Sequence, residues 1–137
     1  MKTVLFDTNI ILDIALKREP HFKASAQLFE LIDREVIGAY ISGSSITDIY
    51  YAARKDKGNE LTRKFLLELI QIVPVLGVNH EIIYQALQSS FADFEDAVQV
   101  FSAFANNLDY IVTRNKKDFT DSKIEVLSPE EAISILT

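Results

Sequence analysis

With 137 residues, 48% of them hydrophobic and 25% charged, the chain has the size and composition of one folded domain, which argues against a disordered or fibrous protein. The net charge of −6 argues against a broad basic face for nucleic acid, and the absence of cysteine excludes disulfides and thiolate metal sites. No apolar run approaches the ~20 residues of a membrane span, and the first residues do not read as a signal peptide, so we expect a cytoplasmic protein.

Short β-type apolar runs alternate with amphipathic helical segments along the chain. Five strands are predicted, in chain order Val4–Phe6, Val36–Ile41, Ile72–Leu76, Tyr110–Val112 and Ile124–Leu127. Helices are predicted over 9–16, 22–34, 46–57, 60–70 and 81–88, then from Asp93, and finally from Ser128, where Ser-Pro-Glu-Glu is a helix-start signature. Pro74 favours an edge position for the third strand. This alternation predicts a mainly parallel sheet in a single three-layer α/β/α domain over residues 1–137.

The first predicted strand ends on an acid. Asp7 follows Val4–Phe6 directly and precedes Thr8 and Asn9 at a helix start. Ligands of open α/β sheets bind at the carboxyl ends of strands, so Asp7 is a candidate metal ligand with Thr8 and Asn9 as hydrogen-bond partners around it. The alternative reading is an ordinary helix N-cap, a position that aspartate fills well.

Acids also open the helix that follows residue 92. At about 100° per residue, Asp93 and Asp96 both point toward the apolar stripe of that helix, whereas Glu95 points away. Asp93 is well placed as the N-cap. Asp96 lies one turn further in and faces the core, where a carboxylate needs a partner, and a metal ion can satisfy several acids together.

The loop after the fourth strand supplies another candidate acid. Thr113 and Asn115 follow that strand at once and are expected at the same sheet edge as Asp7. Asp118 lies a few residues further on, either facing this edge or as a solvated turn acid balanced by the neighbouring lysines.

The remaining polar candidates carry weaker signals. Asp48 falls on the side of its helix opposite the apolar stripe, so local evidence alone makes it an ordinary exposed acid. His21 and His80 are far apart in sequence and each follows a turn, which favours surface or capping roles over a histidine-based zinc site.

Taken together, these segments resemble the PIN-domain family, in particular the VapC-like toxins of type II toxin–antitoxin pairs. The resemblance covers nearly the whole chain. It is carried by Val4-Leu5-Phe6-Asp7-Thr8-Asn9, Ser45-Ile46-Thr47-Asp48, Asp93-Phe94-Glu95-Asp96-Ala97, and Tyr110-Ile111-Val112-Thr113-Arg114-Asn115 with Asp118-Phe119. It implies a twisted parallel sheet between helices, with acids gathered at the carboxyl ends of the central strands.

The resemblance implies a Mg²⁺- or Mn²⁺-dependent ribonuclease that hydrolyses RNA phosphodiester bonds with water activated by the metal. By position, the catalytic acids would be Asp7, Asp48, Asp96 and Asp118, of which Asp7, Asp96 and Asp118 would bind metal. Residues expected to position ligands or substrate are Thr8, Asn9, Asp93, Thr113, Arg114 and Asn115.

The same resemblance implies a cognate antitoxin with a basic side chain that enters the acidic site, and a homodimer. Arg114, Lys116 and Lys117 are expected to guide the RNA backbone. Asp48 stands where the family usually has Glu, and Asn115 where many members have an acid. These two departures keep an alternative open, a PIN-fold module that binds RNA or a protein partner but no longer cuts.

Overall fold

Five strands and seven α-helices alternate along the chain, which a computed structural model describes over residues 1–137. The strands are β1 (Lys2–Phe6), β2 (Ile37–Ser42), β3 (Val75–Leu76), β4 (Tyr110–Val112) and β5 (Glu125–Leu127). The helices are α1 (Thr8–Ala15), α2 (Phe22–Asp33), α3 (Gly43–Lys57), α4 (Asn59–Ile72), α5 (His80–Gln88), α6 (Phe94–Ala105) and α7 (Pro129–Leu136). The predicted order of strands and helices is confirmed.

The five strands form one fully parallel sheet in the order β3-β2-β1-β4-β5. The first strand is central, with Val4 opposite Ala39 of β2 on one side and Tyr110 of β4 on the other. The strand order therefore reverses between β1 and β4, and the crevice beyond their carboxyl ends is the topological switch point where ligands of such sheets bind. β3 lies at the edge of the sheet directly after Pro74, as predicted.

Alternate residues of β1 point to opposite faces of the sheet. Val4 and Phe6 belong to the larger apolar core, which is covered by α1, α2, α3, α4 and α7. Leu5 belongs to a smaller core beneath α6, and a third apolar cluster joins α5 to α6. Helices thus cover both faces of the sheet, which confirms the predicted three-layer α/β/α architecture.

Capping residues set the helix ends near the sheet. Helix α3 starts at Gly43 rather than near residue 46, because the hydroxyl of Ser42 accepts a hydrogen bond from a backbone N–H of the first turn at 3.3 Å. Gly58 separates α3 from α4 with a φ of 81°, a left-handed conformation that glycine adopts without strain. Ser128 and Glu131 form the predicted capping box of α7.

Two further segments differ from the prediction. Helix α4 continues to Ile72, so β3 is limited to Val75–Leu76. The loop after β4 folds into a 3-10 helix at Lys116–Phe119, which places Asp118 on a regular element. None of the seven α-helices has the length and apolar content that a bilayer crossing requires.

Candidate functional site

Asp7 lies at the switch point, directly after β1 and beside the end of β4. Its backbone N–H donates to the carbonyl of Val112 at 3.0 Å, and its side chain is only 6% exposed. Three donors hold the carboxylate: the Thr8 N–H at 2.7 Å and Gln99 Nε2 at 3.0 Å reach Oδ1, while Thr113 Oγ1 reaches Oδ2 at 2.7 Å. Asp7 can therefore serve both as the N-cap of α1 and as a residue of the candidate site, because the same hydrogen bonds that cap the helix hold its carboxylate at the sheet edge.

Glu95 joins the site, although the helical wheel predicts that it points away. Its Oε1 accepts a hydrogen bond from Thr8 Oγ1 at 3.2 Å, and its carboxyl lies within hydrogen-bonding reach of Asp48. Burial raises the pKa of Glu95 to about 8, with the Asp48 carboxyl and then Asp7 adding to the shift. The prediction was wrong because it counted Phe104 in the inward-facing stripe, whereas Phe104 is exposed and Gln99, one turn after Glu95 on the same helix face, is fully buried.

Asp96 interacts electrostatically with three other predicted acids, Asp7, Asp93 and Asp118. Burial raises its pKa to about 7, and the charges of Asp93, Asp7 and Asp118 add to the rise. Asp93 is the N-cap of α6, as predicted, with its Oδ1 accepting from the N–H of Asp96 at 3.1 Å. Asp96, Asp93 and Asp118 also line a cavity of about 200 Å³ together with Lys117.

The acids of this site share one electrostatic environment without forming a closed cluster. Neither Glu95 nor Asp96, the two acids with raised pKa values, forms an ion pair with a basic side chain. No three acidic or histidine side chains converge on a single point in the way that a closed metal cluster requires. Magnesium, however, is usually held by only one or two protein carboxylates and keeps several waters, so an open set of oxygen donors fits a hard divalent cation.

The residues around the acids differ in how directly they take part. Thr113 is buried, and its hydroxyl accepts from the N–H of Asn115 at 3.0 Å, which directs the hydroxyl proton toward Asp7. The side chains of Asn115 and Asn9 form no hydrogen bonds with the acids. Asp48 is solvent-exposed, yet its position beside Glu95 brings it to the site despite its weak periodicity signal.

Two residues of the predicted RNA-guiding cluster are held in ion pairs. The guanidinium of Arg114 binds the fully buried Asp13 through two contacts, Nε to Oδ2 at 2.7 Å and Nη2 to Oδ1 at 3.1 Å. Lys116 Nζ lies 2.7 Å from Glu131 Oε1 on the surface. Lys117 alone of the three lines the acidic cavity.

Sequence reasoning missed three polar side chains that the fold buries or brings to this edge: Glu95, Gln99 and Asp13. Gln99 and Asp13 share a signal that could have found them, since each is a polar residue within an otherwise apolar stretch of its helix. Such a residue needs a buried partner. Glu95 lies one turn before Gln99 on the same face of α6, so recognising Gln99 as buried would also have placed Glu95.

The same fold and family are found among known proteins. The PIN-domain family model, described as "PIN domain", matches residues 3–117. No curated protein matches the chain in sequence. Among solved structures, DNA-bound VapBC from Salmonella typhimurium superposes with a TM-score of 0.70 at 20% identity, covering 94% of this chain and 99% of that chain.

Two further structures share the fold. A toxin–antitoxin complex from Klebsiella pneumoniae gives a TM-score of 0.70 at 23% identity, covering 92% of this chain and 97% of that chain. VapC20 from Mycobacterium tuberculosis, described as a sarcin–ricin loop cleaving toxin, gives 0.62 at 11% identity, covering 79% of this chain and 86% of that chain. At these identities the similarity establishes the fold.

Proposed function

The chain belongs to the PIN-domain family, matched over residues 3–117, and from this premise we propose that it is a Mg²⁺- or Mn²⁺-dependent ribonuclease, the toxin of a toxin–antitoxin pair. The observation that carries the proposal is the set of acids around Asp7, in which burial and neighbouring carboxylates raise the pKa values of Glu95 and Asp96 and no basic side chain forms an ion pair with them. Acids crowded in this way at a sheet switch point favour a divalent cation from solution.

The donors fit that cation. Asp7 and Asp96 would be its principal ligands, with Asp118 on the facing 3-10 helix. When bound, Mg²⁺ or Mn²⁺ lowers the pKa of water and stabilises the negative charge that develops on a phosphodiester under attack.

The chain's own groups prepare the site for this charge. Asp7 is fixed by three hydrogen bonds, so it does not need to reorient when a cation arrives. In the metal-free protein, burial and the adjacent Asp48 raise the pKa of Glu95 to about 8, which favours the protonated carboxyl at neutral pH. Cation binding requires ionised ligands and therefore releases the proton from Asp96, while the positive charge beside Asp7 lowers the pKa of Glu95 and favours release of its proton as well.

A groove between α3 and α4 supports the partner part of the proposal. It has a volume of about 530 Å³, a mainly apolar lining that includes Tyr50, Leu66 and Ile70, and a Leu67 side chain that is 64% exposed. Structures of the same fold are described as toxin–antitoxin complexes, so we propose an antitoxin with an amphipathic segment for this groove. Thr47 also lines the groove next to Asp48, which would let a basic side chain of the antitoxin extend into the acidic site.

RNA is the proposed substrate because a protein of this fold is described as a toxin that cleaves the sarcin–ricin loop. Action on cellular RNA implies a cytoplasmic location. A homodimer, implied by the family resemblance, also belongs to the proposal.

The test is cleavage of a panel of labelled RNAs with Mn²⁺, Mg²⁺ or EDTA, using the native protein and Asp7→Asn in parallel. We expect metal-dependent cutting by the native protein and a loss of at least about 100-fold in Asp7→Asn, with the fold retained, because the carboxylate nearest the switch point is gone. Asp33→Asn is a charge-matched control, since Asp33 is exposed at the end of α2, away from the acids.

Two results would argue against a nuclease. Full activity in Asp7→Asn would reject the assigned site. No cutting by folded native protein, together with no measurable Mn²⁺ binding, would favour the alternative of a PIN-fold module that binds RNA or protein without cleaving it.

A further inference from the structure

Gln99 is a fully buried polar residue in the middle of α6. Its Nε2 donates to Asp7 Oδ1 at 3.0 Å, whereas its Oε1 has no hydrogen-bond partner. We propose that Gln99 is a positioning residue, which aims the Asp7 carboxylate at the incoming cation. This inference rests on the proposed metal-dependent function, and it identifies a residue that fixes the orientation of one proposed metal ligand.

The orientation of the Gln99 amide is fixed by its neighbour. If the amide were turned over, Oε1 would face Asp7 Oδ1, and two acceptors would oppose each other at hydrogen-bonding distance. The observed orientation gives Asp7 a donor and leaves the Gln99 carbonyl oxygen unpaired in the interior.

An unpaired buried carbonyl oxygen destabilises a fold, and an apolar side chain of the same length would avoid that cost. Gln99 is fully buried in a helix whose other buried residues are mostly apolar, including Ala103 one turn further along the same face, so burial alone does not call for an amide at this position. The Gln99 amide therefore serves to bind Asp7 and does not stabilise the core.

The bond to Gln99 also decides which oxygen of Asp7 remains available. Oδ1 already accepts from both the Thr8 N–H and Gln99, while Oδ2 accepts only from Thr113. Donors on both oxygens prevent the carboxylate from turning about its own axis. Oδ2 therefore has the lone pair left for a cation, in a direction fixed before the cation arrives.

Gln99→Met tests this role, because methionine keeps the unbranched length and removes both amide atoms. Ser102→Ala is the matched control: Ser102 lies one turn further along α6, is also fully buried, and also has an unpaired side-chain oxygen, but does not contact the acids. The probe is Mn²⁺ alone, with binding followed by electron paramagnetic resonance. Thermal unfolding is measured on the metal-free proteins.

We expect Gln99→Met to weaken Mn²⁺ affinity by about 10–100-fold and to shift the metal-free unfolding midpoint by no more than about 3 °C, since the lost bond and the removed orphan oxygen act in opposite directions. Ser102→Ala should leave Mn²⁺ affinity within about 2-fold. In RNA cleavage the loss should appear in kcat, with KM unchanged, because Gln99 is buried away from substrate.

Equal Mn²⁺ affinity in folded Gln99→Met and Ser102→Ala would overturn the inference. If native protein binds no Mn²⁺, the proposed function fails instead, and a metal-free cycle still tests the Gln99 contact. In that cycle the unfolding free energies of Asp7→Ala, Gln99→Met and the double variant are compared. Coupling between the two positions supports the contact, and strict additivity rejects it. Gln99→Leu serves in place of Gln99→Met if that variant does not fold.

Discussion

The acids at the two ends of α1 differ in whether a basic side chain balances their negative charge. Asp13, fully buried in the last turns of the helix, receives two contacts from the Arg114 guanidinium. The acids around Asp7, at the start of the same helix, form no ion pair with a basic side chain, and burial together with the neighbouring carboxylates raises the pKa values of Glu95 and Asp96. The chain thus supplies its own cation where an acid holds the structure together and omits it where the site is proposed to take a cation from solution.

Breaking the ion pair between Asp13 and Arg114 should have the largest effect on the free energy of unfolding. Arg114→Met leaves the buried Asp13 carboxylate without its cation, so we expect a loss of about 3–5 kcal/mol in the free energy of unfolding. Urea denaturation measures it. Replacing both partners, Asp13→Leu with Arg114→Met, should cost less than the single change because no buried charge is then stranded. A single variant that loses under about 1 kcal/mol would show that the pair is not a structural unit.

The unpaired acids should respond to an added cation. Mn²⁺ at about 100 times its dissociation constant should stabilise the native protein by about 2.7 kcal/mol, because it binds the folded state alone. At one fixed Mn²⁺ concentration the stabilisation should be larger at pH 8.5 than at pH 6, because the pKa values of Glu95 and Asp96, about 8 and 7, make protons compete with the cation at the lower pH. Thermal unfolding at both pH values checks this. An equal shift at the two values would exclude these acids from cation binding.

Without metal, removal of one crowded acid should stabilise the fold. The pKa of Glu95 is about 8 in the folded protein and 4.5 in the unfolded chain. Between those pH values the unfolded state ionises more readily than the folded state, so the free energy of unfolding falls as pH rises. Glu95→Gln should therefore be more stable than native protein at pH 8.5, by about 1 kcal/mol after allowance for solvent screening. The difference should vanish below pH 4.5, where the carboxyl is protonated in both states. Urea denaturation at the two pH values measures it.

Glu131 serves as a control for Glu95, because its pKa is shifted in the opposite direction. Its pKa is lowered, chiefly by the hydrogen bond from Lys116, so its ionisation stabilises the folded state and this contribution is lost as pH falls through the lowered pKa. Glu131→Gln should therefore reduce stability at neutral pH, where Glu95→Gln increases it. Unfolding curves that move in the same direction for both variants would contradict the contrast.

The smallest effect concerns the two lysines after β4. In an Asp7→Asn background that binds RNA without cutting it, Lys117→Ala should reduce the slope of log affinity against log salt by about 0.7, the value for one phosphate contact on a single strand. Lys116→Ala should change the slope less, because Lys116 already pairs with Glu131. Equal slopes in the two variants would remove Lys117 from the RNA path.

The fold was predictable because its apolar pattern is simple. The strand Tyr110–Val112 is found with the predicted bounds, and period-two burial in β1 sends Val4 and Phe6 to one core and Leu5 to the other. Strand ends follow from such patterns, so the apolar runs alone are enough to place Asp7 and Thr113 at one edge of the sheet.

The rest of the site depends on where helix ends meet that edge. The apolar residues of α6 misplace its inward face, because Phe104 is exposed while the polar Gln99 is buried. Glu95 lies one turn before Gln99 on the same face and therefore meets the site together with Asp96. Periodicity likewise cannot pair Asp13 with Arg114, which are distant in sequence. Their contact arises only when β4 is placed beside β1.

The most direct test of the central claim is a calorimetric titration of Mn²⁺ into native protein and Asp7→Asn at pH 7, each in two buffers of different ionisation enthalpy. A cation site made by the crowded acids predicts binding by native protein, proton release from Glu95 and Asp96, and loss of both signals in Asp7→Asn. No binding by native protein, or equal binding by the folded variant, would contradict the claim that this site takes a cation from solution.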